Sequence, residues 1–450
     1  MKKRLVLILS LVLAIILSFG FIACGGGGNG GGGNNNPRAD LEVPTPRVMK
    51  MDGPRITTGE VVFPTSLWQT PNAIRASEFD KGNSQGYFID SVNGVKFFAY
   101  VGLPTKDIRG KTVSESNKVP AVVCVQGGGG TAFYEWVDFW TNRGYAAIAM
   151  CTDQNVPTVT GNNQTAINNA NHTDVSSYSV GGQSFNLGPD NPGGFSDYRK
   201  PVTEQWAYHA IATVIASNSF IRSFPVVDGT KVALTGISYG SFLTCQAAAH
   251  DDRYACAVPI YGSYCQSIGD TNFSSYFNAI GEEGKAALWD NDAIMEGNKT
   301  PFYFVNSNLD QFFSILGNDA SCRTMQGSKM VLKHNAPHSH EMGAMLIYEV
   351  HAYIDSVCYE LDRIPTFTKQ PTIDDMTAKV SFAKGVTLSK ARVYYTNETV
   401  LNENTRWNRE NCDYIDGEIF IEVPADTTYC YLNVTDSYQN EVTSYVINMR

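Results

Sequence analysis

Ser238, Asp310 and a cluster of three histidines, His334, His338 and His340, are the residues whose types and order best suit nucleophilic catalysis. Ser238 is the centre of Gly236-Ile-Ser-Tyr-Gly240. An apolar run at 231–235 precedes it, and a helix-forming stretch at 241–249 follows. Strand, Gly-x-Ser-x-Gly and helix together make a nucleophile elbow, a bend so tight that flanking side chains would clash with strand and helix. Such an elbow exposes the hydroxyl and aims a helix N-terminus at the point where negative charge develops during attack on a carbonyl. The bare pentapeptide also occurs as a plain turn; the flanking strand and helix give it this meaning.

A serine nucleophile needs a base, an acid to orient that base and donors for the oxyanion. After an elbow of this kind the chain order is serine, acid, histidine. Asp310 follows the apolar run 302–309, where a carboxylate can hold an imidazole; its alternative role is to start the next helix as an N-cap. The loop His334-Asn-Ala-Pro-His338-Ser-His340-Glu341 holds three of the chain's seven histidines. His334 reads as the end of a strand. His340, immediately before a closing helix, is the preferred base, and His338 is the second choice. The oxyanion donors are expected at the Tyr239 N–H and in the loop Gln126-Gly-Gly-Gly-Gly130, with Gly128 as the second donor, because glycines let backbone N–H groups approach a substrate. A phosphate-binding loop is the rival reading of those glycines, but the Gly-Lys-Ser/Thr ending is missing. This chemistry calls for no metal and no cofactor.

The elements that must position these residues alternate between strand and helix. Residues 86–101 read as a hairpin around Asn93-Gly94, a pair able to take positive φ. Residues 119–125 and 145–151 are continuous apolar runs of the kind buried on both faces of a parallel sheet, with a helix at 132–143 between them. A polar, Asn- and Gly-rich insertion at 152–199 has the length of a lid or rim. A helix at 201–217, the elbow, strands at 254–261, 301–306 and 330–334, and a helix at 342–357 complete the pattern. Alternation of this kind predicts an α/β fold with a mostly parallel central sheet and a site at the strands' carboxyl ends. From residue 365 the pattern changes to short alternating strands with no helix, which predicts a small all-β sandwich as a separate domain; the alternative is that these strands extend the main sheet. Trp136, Trp140 and Trp206 have the surface to stack on sugar rings, but they fall in predicted helices and are assigned to the core.

The chain has 450 residues, 43 % of them hydrophobic and 12 % aromatic, enough for one large domain and a smaller one. A net charge of −10 without a long basic run argues against nucleic acid or anionic lipid headgroups as main partners, and favours a neutral substrate such as an ester or a sugar. Residues 1–23 read as a lipoprotein signal peptide. They comprise a basic start, an apolar run at 5–19, and Phe21-Ile-Ala-Cys24, where cleavage would leave lipid on the Cys24 sulfur. An ordinary signal peptide or an uncleaved anchor is the alternative. Residues 24–64 form a Gly/Asn-rich tether and linker, 65–364 the catalytic domain and 365–450 the sandwich. The expected location is the bacterial cell envelope, lipid-anchored on its periplasmic or cell-surface side. Nine cysteines follow Cys24. Most lie in apolar runs and read as core, none has zinc-site spacing, and Cys412 with Cys430 is the one pair expected to form a disulfide.

Four segments carry a family resemblance: Gln126-Gly-Gly-Gly-Gly-Thr-Ala-Phe-Tyr-Glu-Trp-Val137, Arg143-Gly-Tyr-Ala-Ala-Ile-Ala-Met150, Thr235-Gly-Ile-Ser-Tyr-Gly240 and Ala257-Val-Pro-Ile-Tyr-Gly262. Over roughly residues 86–357 the chain resembles bacterial acetylxylan esterase and dienelactone-hydrolase-like proteins, α/β-hydrolases of the prolyl-oligopeptidase type. The resemblance implies a serine esterase acting on acetyl or other small acyl esters of polysaccharide. A serine peptidase of the same fold and a catalytically silent surface binding protein are the rival readings. The chain departs from the family pattern at Gln126, where histidine is usual, at Cys151, where aspartate is common, and at Pro337-His338-Ser339-His340, where His-Gly-His is usual.

Overall fold

The computed structural model describes residues 48–50, 60–158, 172–193, 195–264, 268–279, 298–325, 327–336, 338, 347–361 and 363–450. The signal segment, Cys24, most of the tether and His340 lie outside them. Nine strands build the central sheet of the first unit: Ala73–Arg75 (β1), Ser84–Asp90 (β2), Lys96–Gly102 (β3), Val119–Val125 (β4), Ala146–Met150 (β5), Val227–Ile237 (β6), Tyr254–Ile260 (β7), Tyr303–Ser307 (β8) and Lys329–Lys333 (β9). Their spatial order is β1-β2-β3-β5-β4-β6-β7-β8-β9. Strands β4 to β9 pair in parallel, while β3 joins β5 antiparallel and continues into the β1–β3 meander. The β2–β3 turn is the expected one, with Asn93 and Gly94 at φ 56° and 74°.

Parallel strands are covered on both faces, so they read as unbroken apolar runs rather than alternating ones. All seven residues of β4 and all five of β5 are buried. One face packs on Trp206–Arg222 (α2) and Tyr239–His250 (α3), and the other on Tyr134–Asn142 (α1) and Tyr348–Cys358 (α4). Helix α2 is buried along almost its whole length, and α3 from Gly240 to His250, consistent with sequences that are apolar or small all round. Trp136, Trp140 and Trp206 are core residues, as their helical positions require. The chain places β5 on one side of β4 and β6 on the other. The carboxyl ends of β4 and β6 therefore flank a topological switch point, the place where open α/β sheets bind ligands. The Gly-rich loop leaves β4 there, and Ser238 leaves β6.

The C-terminal strands are Thr366–Lys369 (β10), Thr377–Ser381 (β11), Leu388–Thr396 (β12), Asn408–Asn411 (β13), Asp413–Ile415 (β14), Glu418–Phe420 (β15), Tyr429–Asp436 (β16), Glu441–Thr443 (β17) and Ile447–Asn448 (β18). They form two facing layers with a core of their own: Ala378, Ile419 and Ile421 on one side meet Val393, Leu432 and Val434 on the other. One layer is the free-standing sheet β10-β11-β15-β14. The other, β13-β12-β16-β17, is continuous with the central sheet, because Thr443 of β17 pairs with Met330 of β9. The sandwich is present, but it is fused edge to edge with the first unit, so the two readings of this region each hold for one layer.

The expected Cys412–Cys430 disulfide is not formed; both are free thiols. Cys430 lies opposite Tyr395 on one side of β12, while Cys412 bonds Ala391 on the other. Two strand spacings are roughly 10 Å, beyond the Cα reach of a disulfide.

Candidate active site

Ser238 stands between β6 and α3 at φ 57°, ψ −120°, a conformation that L-residues rarely adopt. The motif glycines let the bend close. A Cβ at Gly240 would stand 2.4 Å from the carbonyl oxygens of both Gln126 and Val125, and one at Gly236 would stand 2.3 Å from the Gly240 oxygen. The Ser238 N–H donates to the Ile260 carbonyl at 2.9 Å, which ties the elbow to β7.

Asp310 lies three residues past β8 and is 3 % exposed. Its Oδ1 accepts the N–H groups of Phe312 and Phe313 at 2.8 and 2.9 Å. Its Oδ2 is left to face His338 Nδ1 at 2.8 Å. His338 Nε2 lies 3.0 Å from Ser238 Oγ. The imidazole is held by rings as well as by hydrogen bonds, with centroids of Tyr261 and Phe312 at 4.9 and 4.8 Å and Phe313 parallel to it at 6.0 Å. Burial, with Asp310 nearby, holds the Tyr261 phenol well above its ordinary range, so this wall of the site stays neutral.

The structure thus brings together Ser238, Asp310 and a histidine, but the histidine is His338. The position expected for His340 is filled by the second choice, and His340 itself lies outside the described residues. His334, which the sequence places at the end of the strand, is instead the first residue past β9, and it does another job: its Nδ1 meets Asn308 Nδ2 at 3.1 Å, and its ring packs on Tyr394 of β12 at 4.9 Å. Burial first, and then Arg409 and Arg392, lower its pKa, so it is uncharged at neutral pH.

Gly128 and Tyr239, the expected oxyanion donors, are neighbours. A Cβ at Gly128 would stand 2.5 Å from the Tyr239 ring, so only glycine allows the loop to lie on that ring. Tyr239 is the first residue of α3, and its ring is fixed among Phe195, Trp206 and Phe273. Phe195 belongs to the 152–199 insertion. Its described residues include two antiparallel strand pairs, Asn155–Pro157 with His172–Asp174 and Ser177–Val180 with Gln183–Asn186, so they are more regular than the composition suggests.

Two of the three departures from the family pattern, Gln126 and Cys151, lie behind the Gly-rich loop. Cys151 Sγ accepts the Ala132 N–H at 3.3 Å and lies 3.3 Å from Thr131 Oγ1, which pins the loop's exit. Gln126 Nε2 reaches Thr152 Oγ1 and Asp153 Oδ2, each at 3.4 Å. Trp206 Nε1 donates to Asp153 Oδ1 at 2.8 Å. Burial pushes the Asp153 carboxyl up to about 7. Asp153 falls in the polar 152–199 stretch of the sequence; its place three residues past the buried strand β5 is the signal that could have found it.

A serine in a strained elbow, an imidazole on its hydroxyl, a buried carboxylate behind that imidazole and a strand order that reverses beside them decide the architecture. The chain has the α/β-hydrolase fold. Residues 190–331 match the sequence model of the prolyl oligopeptidase family. No curated protein matches the chain in sequence. Similar solved structures include an acetyl xylan esterase from Paenibacillus sp. R4, with 14 % identity, TM-score 0.46, and cover of 64 % of this chain and 88 % of that one. Acetyl xylan esterase 1 from Thermoanaerobacterium sp. shows 16 % identity, TM-score 0.43, and cover of 60 % and 83 %. The acylaminoacyl peptidase of Pyrococcus horikoshii shows 12 % identity, TM-score 0.43, and cover of 62 % and 42 %. At such identities and scores these likenesses carry no weight for substrate. The residues of this α/β-hydrolase themselves make the arrangement of a serine hydrolase.

Proposed function

We propose that the protein is a serine esterase that removes acetyl or other small acyl groups from polysaccharide, attached to the cell envelope through lipid on Cys24. Ser238 Oγ attacks the ester carbonyl while His338 Nε2 takes its proton. Asp310 holds the ring with its proton on Nδ1 and stabilises the imidazolium. The alcohol leaves with the proton from His338, and water repeats the sequence to free the acid. The Gly128 and Tyr239 N–H groups stabilise the oxyanion, an interaction that typically supplies about 3 kcal/mol per donor.

One observation carries this reading: the relay from Asp310 through His338 to Ser238, at 2.8 and 3.0 Å. The test is hydrolysis of nitrophenyl acetate together with labelling by a fluorophosphonate. Wild type is expected to turn over the ester and take the label on Ser238, and Ser238→Ala to do neither; equal background rates would sink the proposal. Peptide hydrolysis is the second reading, favoured by the family match over residues 190–331. Acetate release from acetylated xylan without cleavage of prolyl or acylaminoacyl peptides separates the two. Lipid attachment is tested by detergent partitioning, which Cys24→Ser abolishes if the reading is right.

A further inference from the structure

The Gly-rich loop is a turn held from outside by a buried amide. The Gly130 N–H donates to the Gly127 carbonyl at 3.1 Å, and Gly129, third in that turn, has φ 71°, which favours glycine. The Gly128 N–H makes no hydrogen bond among the described residues. The carbonyl that follows the turn, that of Gly130, accepts Asn155 Nδ2 at 2.9 Å. Asn155 is 2 % exposed, and its Oδ1 has no hydrogen-bond partner among the described residues. Burying an amide with one end unmet is unfavourable, and a leucine would fill the space without that penalty. The bond to Gly130 is what the amide supplies and a leucine would not.

Asn155 opens the first strand pair of the 152–199 insertion, opposite Asp174. Near the other end of the insertion, Phe195 packs on the Tyr239 ring. One segment therefore backs both residues whose N–H groups are assigned to the oxyanion. We propose that Asn155 is a positioning residue of the oxyanion hole. Through Gly130 it fixes the turn that presents the Gly128 N–H, and the 152–199 insertion serves as the frame of the hole. The assignment rests on the serine hydrolase reading of Ser238.

Asn155→Asp tests it, because the substitution keeps the shape and puts an oxygen where the donor was. Ionised, the new carboxylate has no proton to give the Gly130 carbonyl; protonated, it donates again. Burial, Asp153 beside it and Asp190 close to Asp153 hold such a carboxyl above its ordinary range, as does Asp174 on the paired strand, whose carboxylate His172 Nε2 meets at 3.1 Å. Across the small cavity that Asn155 and Asp153 line, Lys96 is paired with Asp90, and burial lowers the pKa of His209 so that it stays uncharged.

Nitrophenyl acetate turnover, divided by the wild-type rate at the same pH, should fall at least about tenfold in kcat at about pH 8, with KM within about threefold, and should recover as pH drops to about 5.5. A trifluoromethyl ketone, whose adduct with Ser238 carries an oxyanion, should lose affinity by the same factor and regain it over the same pH range. Asn155→Ala, with no donor at any pH, should show the loss without the recovery. Asp174→Asn removes a charge from the paired strand but leaves the Gly130 bond, and should stay within about threefold of wild type throughout. A deficit of Asn155→Asp that does not change with pH, a loss in KM instead of kcat, or an unchanged ketone affinity in either Asn155 variant overturns the proposal. Failure of the serine hydrolase reading shows separately, as absence of turnover and of fluorophosphonate label in wild type.

Discussion

Asp310→Asn tests the catalytic relay at its least replaceable point. Asp310 Oδ1 receives two backbone N–H groups, from Phe312 and Phe313. An amide nitrogen cannot occupy that position, since it would face two donors. The asparagine must therefore keep its oxygen there and turn its NH2 toward His338 Nδ1. A ring nitrogen that accepts a hydrogen bond carries no proton, so the proton moves to Nε2 and points at Ser238 Oγ, 3.0 Å away. The base has become a donor. A tautomer change of this kind lowers kcat by about ten-thousandfold in serine proteases, equivalent to about 5.5 kcal/mol of barrier. The backbone bonds survive, so thermal melting should stay close to wild type. Nitrophenyl acetate turnover at pH 7.5 measures the effect. A loss of less than tenfold, with the fold intact, would refute the role given to Asp310.

His338→Ala should lower kcat/KM about a thousandfold or more, and His340→Ala should leave it within about threefold; the reverse outcome would return the base to His340. Gly240→Ala drives a Cβ against two carbonyl oxygens at 2.4 Å, so a loss of about 3 kcal/mol or outright misfolding is expected in urea titration, and a change below 1 kcal/mol would count against the packing argument. Asp153 has a folded-state pKa raised to about 7, so the folded state holds a proton that the unfolded chain has lost between about pH 4 and pH 7. Its contribution to stability is fully present below pH 4 and is lost as pH rises through 7. Asp153→Asn should therefore gain melting temperature relative to wild type as pH rises from 5 to 8, and a pH-independent difference would exclude the buried carboxyl as the cause.

The elbow could be read from sequence because its requirements are local: two glycines, one serine, a strand before and a helix after. Asp310 could be read from chain order. The choice of imidazole could not, since two histidines two residues apart in one loop have the same chemistry, and nearness to the next helix, which favoured His340, does not decide which ring reaches Ser238. Three aromatic rings from distant segments, Tyr261, Phe312 and Phe313, make that choice, and no periodicity links them to His338. The fusion of β17 to β9 was hidden for a related reason. A strand half-buried in a sandwich and a strand extending a larger sheet show the same alternation, and only the non-local pairing of Met330 with Thr443 tells them apart. Asp153 was missed because a carboxylate at a strand end reads as solvent-facing until the tryptophan that covers it is in place.

The seam between β9 and β17 means that the last eighty residues are not an accessory that could be cut away. Beside the Met330–Thr443 pairing, Leu332 N–H donates to Thr443 Oγ1, Lys333 reaches Glu441, and the Tyr303 hydroxyl donates to the Glu441 carbonyl. Trimming the chain before β10 would bare the edge of the strand that leads straight into the histidine loop, leaving a sticky border open to other chains and nothing to hold the loop in register. Truncation should therefore yield inclusion bodies rather than a smaller working enzyme, and swapping this appendage between relatives would have to carry β9 along with it.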